Sequence, residues 1–279
     1  MISFFLVFVL INTIALACDL IDDRGQKIVL SKPAKRVISL SPDLTEMIFT
    51  IGGEKQLVGV VSHSDYPDAA KKLPIIANFN YLNIEAIVQL HPDLVIAWQP
   101  EHFNLLKKLG VPVYYANPKT LLDIPRTMRA LGCLLGQEKN AKKASDIFLK
   151  KYSELKQKYA KNPPKTVFFQ IWSYPLMTIS NKSWINDALK ICGGKNIFAD
   201  LPGVAPIVNI EAVIAQNPDV ILGTTDHQWQ QKWQSWPELT AVKNNALFSI
   251  DPDLIERASP RILLGIQGIC RDLQFSDKG

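Results

Sequence analysis

No stretch of this sequence carries a familiar catalytic signature. Gly193-Gly194-Lys195 lacks the spacing of a phosphate-binding Walker loop and the Ser or Thr that should follow its Lys. There is no G-x-S-x-G nucleophile elbow, no G-x-G-x-x-G dinucleotide fingerprint and no H-E-x-x-H zinc motif. The four histidines (His63, His91, His102, His227) and four cysteines (Cys18, Cys133, Cys192, Cys270) are too scattered for a zinc site, which needs close pairs, so no bound metal is expected. The net charge of +5 is spread along the chain, with no basic run interleaved with aromatics, which argues against nucleic acid. Beyond residue 17 nothing is long and apolar enough to span a membrane. These absences favour a carrier over an enzyme and require no cofactor.

Residues 1–17 are apolar, free of charged side chains and end in Ala15-Leu16-Ala17, which reads as a secretory signal with a small-residue cleavage site. Cys18 follows directly, so a lipid anchor on Cys18 is the rival to simple cleavage; Ala15 stands where a lipoprotein signal would carry Leu, which favours cleavage. The mature protein is expected outside the cytoplasm, in a periplasm. Four cysteines suit that oxidising compartment, and spacing does not choose among their three pairings.

What the chain does contain is a stretch that occurs twice. Residues 83–97 read NIEAIVQLHPDLVIA and residues 209–223 read NIEAVIAQNPDVILG. Each copy reads as an Asn N-cap, a short helix with Glu in its first turn, a Pro-Asp turn and a buried parallel strand. Residues 45–53 and 186–194 echo each other as short helices that end in Gly-Gly, the first Gly suited to a left-handed cap. The duplication predicts two similar α/β lobes and hence a cleft for a small ligand.

Between the lobes, Glu138 to Ala160 reads as one long helix, with Ala141, Ala144, Ile147 (or Phe148), Tyr152, Leu155 and Tyr159 on its apolar stripe and lysines mainly on the solvated side. At 1.5 Å per residue it spans about 35 Å. Asn162-Pro163-Pro164 stops it. The expected division is a signal at 1–17, an N-terminal lobe at 18–137, a connecting helix at 138–162 and a C-terminal lobe at 163–279. A rigid helical crosspiece restricts hinge motion, so the groove is expected to be largely pre-formed. Trp229, Trp233 and Trp236 are expected on one side of a helix, with Trp233 and Trp236 as packing residues.

Residues 36–46 (RVISLSPDLTE), 58–67 (VGVVSHSDYP), 92–98 (PDLVIAW), 192–198 (CGGKNIF) and 256–262 (ERASPRI) resemble the helical-backbone class of periplasmic binding proteins, and within it the cobalamin-binding branch, over about residues 35 to 272. The resemblance implies a two-lobed α/β fold whose cleft holds a corrinoid, and a monomer that docks on the dimeric permease of an ATPase-driven importer. It places the docking carboxylates on Glu85 and Glu211, one in each copy of the duplicated stretch; the plainer reading is that each only complements its helix dipole. It pairs Cys192 with Cys270. Cys18 with Cys133 is then a hypothesis, a free Cys133 its equal rival.

The same resemblance puts ligand contacts at His63, Phe79, Trp98, Met177, Ala205, Asp253 and Arg257. Trp98 keeps the family's aromatic, Phe79 stands for a Trp, His63 for a Tyr, Met177 for a Phe and Ala205 for a Trp. Trp172, Tyr174 or Trp229 are candidates for the lost apolar area. His63 reads first as a hydrogen-bonded loop residue and second as an axial ligand to cobalt or iron. Tyr66 is expected to close its loop rather than to touch ligand. Asp253 and Arg257 read as partners for corrinoid amides or as a structural pair one turn apart. The rival functions are a haem or ferric-siderophore binder of the same fold, a sensory or adaptor protein, and an extracytoplasmic enzyme with an unfamiliar site.

Overall fold

The computed structural model describes residues 18–78, 81–99, 103–224 and 228–275. The chain opens with an antiparallel hairpin, β1 (Cys18–Ile21) and β2 (Lys27–Leu30). Asp22 shapes its turn by accepting hydrogen bonds from the backbone N–H groups of Arg24 and Gln26, both at 2.9 Å.

The first lobe contains β3 (Val37–Ser39), α1 (Pro42–Thr50), β4 (Leu57–Val61), β5 (Ile75–Ala77), α2 (Ile84–Gln89), β6 (Leu94–Ala97), α3 (Phe103–Lys108), β7 (Val113–Tyr115) and α4 (Asp123–Leu135). Its five strands are parallel, in the order β5-β4-β3-β6-β7. Then comes α5 (Glu138–Tyr159). The second lobe contains β8 (Lys165–Gln170), the hairpin β9 (Trp172–Ser173) and β10 (Leu176–Met177), α6 (Trp184–Ile191), β11 (Gly194–Asn196), α7 (Ile210–Gln216), β12 (Val220–Gly223), α8 (Gln228–Trp233), α9 (Thr240–Lys243), β13 (Leu247–Ser249), α10 (Pro252–Ile255) and α11 (Ile262–Phe275). Its parallel sheet runs β11-β8-β12-β13, the same winding as β4-β3-β6-β7. The α/β class with two parallel sheets and one long joining helix is therefore what the sequence pattern indicates.

The duplicated stretch does the same work in both lobes. Asn83 Oδ1 accepts the Ala86 N–H at 2.9 Å and Asn209 Oδ1 accepts the Ala212 N–H at 2.8 Å, caps worth about 1 kcal/mol each. The residue before each Pro-Asp, His91 or Asn217, turns the chain in the left-handed region. Each Asp then staples the start of its central strand. Asp93 accepts the N–H groups of Lys35 and Arg36 before β3, and Asp219 accepts the N–H and hydroxyl of Thr166 in β8. Gly52 and Gly193 both adopt the left-handed conformation at the helix ends, with φ of +79° and +84°.

Both faces of each sheet are covered, as parallel sheets require. One face of each sheet shares a single apolar core that runs from Val37 and Leu44 through Phe148 and Leu155 to Val167 and Leu273. Helix α5 lies in this core, packed on α4 in the first lobe and on α6 and α11 in the second. Gly132 permits the close approach of α4 to α5, since a Cβ there would sit 2.4 Å from that of Ala141. The outer faces have separate cores, one around Ile38, Ile87 and Val95 and the other around Phe168, Ile221 and Trp229. Trp236 lies beyond the end of α8 rather than on it, with its ring 5.6 Å from that of Trp233. Trp229 is fully buried, which removes it from any ligand surface.

Cys18 is joined to Cys133, which ties the first strand to α4, and Cys192 to Cys270, which ties the end of α6 to α11. No helix among the described residues is long and apolar enough to cross a membrane.

Candidate ligand cleft

The C-terminal ends of the strands of both sheets open on one cleft, the general location for ligands in parallel α/β sheets. Its wall from the first lobe comes from the turn after β3 (Ser41, Pro42, Asp43), from Trp98 after β6 and from Asn117 after β7. Its wall from the second lobe comes from Trp184 at the start of α6 and from Asp253, Glu256 and Arg257 around α10. The hollow between them measures about 330 Å³. Trp98 also borders an adjoining hollow of about 150 Å³ within the first lobe, lined by Leu40, Ser62, His63 and Asn78. Its indole, 40% exposed at the end of a fully buried strand, stands between the two spaces.

Beneath this cleft the lobes are clasped by charge. Glu46, in α1 and only 2% exposed, accepts two hydrogen bonds from Arg261, Nε to Oε2 at 2.9 Å and Nη2 to Oε1 at 2.7 Å. Ser259 donates to it at 2.6 Å and Arg257 at 3.0 Å. Arg257 also reaches Asp65 and Asp253, each at 2.7 Å. Burial works against the charge on Arg257, but its hydrogen bonds to Asp65 and Glu46 outweigh that and raise its pKa above the ordinary arginine value. The Arg257 hydrogen bond in turn holds the Asp65 carboxyl below the usual carboxylate range. The Arg261 guanidinium lies 3.9 Å from the centroid of the Tyr66 ring, so the loop carrying Asp65 and Tyr66 is pinned to the second lobe.

Two other cleft carboxyls titrate in the opposite sense. Burial raises the pKa of Asp43, against a hydrogen bond from Ser41. Burial likewise raises that of Glu256, whose carboxylate accepts the hydroxyl of Thr224.

The residues singled out in the sequence fall into groups. Trp98, Asp253 and Arg257 line the same cleft, and His63 borders the adjoining hollow. Asp253 and Arg257 do form an ion pair, but Arg257 is also the link between lobes. His63 is exposed in the left-handed region and has no hydrogen-bond partner among the described residues, unlike its first reading. Met177 and Ala205 lie together on the second lobe, where residues 204–208 run alongside residues 176–180. Phe79 lies outside the described residues. Glu85 and Glu211 are exposed in the first turns of α2 and α7.

Two features escaped the sequence reading. Glu46 sits in α1 between buried Thr45 and Met47, and a carboxylate on the buried side of a helix is a signal that it has a buried partner. Trp184 carries no periodic signal because it opens a helix; its Nε1 donates to the Ile255 carbonyl at 2.9 Å, which fixes the ring in the cleft wall.

Comparison with known proteins gives this arrangement a context. A family model for periplasmic binding proteins matches residues 37–254. The vitamin B12-binding protein of Vibrio cholerae is 35% identical over 253 residues, 88% of this chain and 91% of that one. The crystal structure of the periplasmic vitamin B12 binding protein of the same organism superposes with a TM-score of 0.82, covering 88% of this chain and 99% of that chain. A periplasmic haem-binding protein from Roseiflexus, 23% identical with a TM-score of 0.77 over 87% of this chain and 99% of its own, shares the fold.

Proposed function

The chain belongs to the periplasmic binding protein family, and from that membership we propose that it binds cobalamin or a related corrinoid outside the cytoplasm and presents it to an ABC-type importer. The observation that carries this reading is the 35% identity along nearly the whole of a relative named for vitamin B12 binding. The cleft supports it.

A corrinoid is a broad, flat macrocycle fringed with amides. Trp98 and Trp184 offer aromatic surface from opposite lobes. Asp253 and Arg257 give amides an acceptor and a donor. His63 presents an imidazole with no hydrogen-bond partner among the described residues, a candidate axial ligand to the cobalt. Met177 and Ala205 leave room on the second lobe. Among the described cleft-lining residues the carboxylates Asp43, Asp253 and Glu256 outnumber the cation Arg257, which disfavours anionic ligands such as haem propionates or carboxylate siderophores.

The continuous core along α5 and the Glu46 clasp keep the lobes at a fixed angle, so the ligand meets a pre-formed groove and binding calls for little hinge closure. The exposed carboxylates of Glu85 and Glu211, on equivalent turns of the two lobes, suit a two-fold symmetric permease with basic side chains. No catalytic step belongs to this reading.

Gel filtration of the exported protein with cyanocobalamin tests it. A one-to-one complex that carries the corrin absorbance through the column supports the reading. Elution of protein free of corrinoid, with haem or a ferric siderophore retained instead, overturns it.

A further inference from the structure

We propose that Trp172 is a specificity-determining contact for the macrocycle, the main aromatic surface of the second lobe's outer wall. The inference rests on the corrinoid reading above and concerns residues beyond the cleft walls already described.

Trp172 is 58% exposed, an unusual state for the largest apolar side chain. It is nevertheless held in place, because its Nε1 donates to the Tyr174 carbonyl at 2.8 Å. In the hairpin ladder Trp172 is the direct partner of Met177, and Met177 bridges in turn to Ile207. Side chains directly opposite in antiparallel pairs share a face. Trp172, Met177 and Ile207 therefore form one apolar row across three extended segments, and Ile207 is 65% exposed. Ala205 lies two residues before Ile207, on the segment that runs alongside residues 176–180, and its small side chain leaves space there.

The hairpin that carries the row is joined to the cleft through β8. It leaves the sheet just after Gln170, the last residue of β8. Gln170 accepts the Thr224 N–H at 3.1 Å through its carbonyl, and the Thr224 hydroxyl bonds the cleft-lining Glu256. A flat ligand lying against Trp98 and reaching along the ends of β8 and β12 would meet the Trp172 ring next. A fixed, exposed indole beside a small residue suits a macrocycle edge: it adds contact area with little ordering cost.

The test compares wild type, Trp172→Ala, Trp172→Phe and Ile207→Ala by calorimetric titration with cyanocobalamin, with thermal melts in parallel. Trp172→Ala is expected to weaken binding about tenfold or more, and Trp172→Phe to restore most of the loss. Ile207→Ala should give a smaller loss, and melting temperatures should stay at the wild-type value because these side chains are exposed. If wild type binds and Trp172→Ala binds within about twofold of it, this inference falls and the corrinoid reading stands. If wild type does not bind cyanocobalamin, the corrinoid reading falls and this inference with it.

Discussion

Glu46 and Arg261 face each other across the boundary between the lobes, joined by two parallel hydrogen bonds of 2.9 and 2.7 Å. The pair is 215 residues apart in sequence, with Glu46 almost wholly shielded from water and Arg261 mostly so. A buried ion pair adds little net stability, but removal of one partner strands the other, at a typical cost of about 3–5 kcal/mol. Glu46→Gln keeps the shape and loses the charge, leaving Arg257 and Arg261 with fewer carboxylates. It should lower the unfolding free energy by about 3 kcal/mol in urea titrations. A loss below about 1 kcal/mol would mean that the clasp is dispensable.

Asp65 gives the clasp an acid limit. Its folded pKa is held below its ordinary 3.8, chiefly by the Arg257 hydrogen bond. A depressed carboxylate contributes stability that is complete above the unfolded pKa and fades as the pH falls through the folded value. Asp65→Asn should therefore melt earlier than wild type at neutral pH. The two melting temperatures should converge as the pH is taken below 3.8. A constant gap at all pH values would assign the effect to packing.

Glu256 carries the opposite sign. Burial raises its folded pKa above 4.5, so its charge opposes folding once the pH exceeds that of the unfolded group. Glu256→Gln keeps an acceptor for Thr224 and removes the charge. It should melt later than wild type at pH 7, and the advantage should vanish as the pH falls toward 4.5. An earlier melt at pH 7 would contradict the assignment.

The fold was legible because its signals are local. Asn83 and Asn209 announce their caps within three residues, and the Pro-Asp pair marks where each buried strand begins. The long helix was expected from Glu138 to Ala160 and runs from Glu138 to Tyr159. The cleft was less legible. Arg257 was read as a partner for corrinoid amides or for Asp253, and Ser259 and Arg261 only as marks of a family, since the carboxylate all three hold lies more than 200 residues away. The β9–β10 hairpin, two residues per strand, is too short to leave a periodic trace, so the row of Trp172, Met177 and Ile207 appears only in the register.

Cys18 bears on export. Its sulfur is bonded to Cys133 and the residue is buried, so the atom that would carry a lipid thioether is already in use. Intact-mass analysis of the exported protein should show a gain of four hydrogens on reduction, two per disulfide, and no acyl mass. A diacylglyceryl adduct on Cys18 would contradict this. Cys18→Ser with Cys133→Ser should cost about 2–4 kcal/mol of stability, since the bridge closes a loop of 115 residues.

Glu85 and Glu211 separate delivery from binding. Both lie on exposed first turns, away from the cleft lining. The Glu85→Ala, Glu211→Ala double variant should bind cyanocobalamin within about twofold of wild type. It should lose most of its association with permease-containing vesicles, and wild-type association should weaken as salt rises. Undiminished association of the double variant would move the docking surface elsewhere.

The most direct test of the central claim is a calorimetric titration of the mature protein and its Trp98→Ala variant with cyanocobalamin, with haem run in parallel. The account predicts saturable one-to-one binding of cyanocobalamin by wild type, weakened about tenfold or more by Trp98→Ala, and no comparable heat with haem. Saturable haem binding with no cyanocobalamin heat would keep the fold and contradict the ligand.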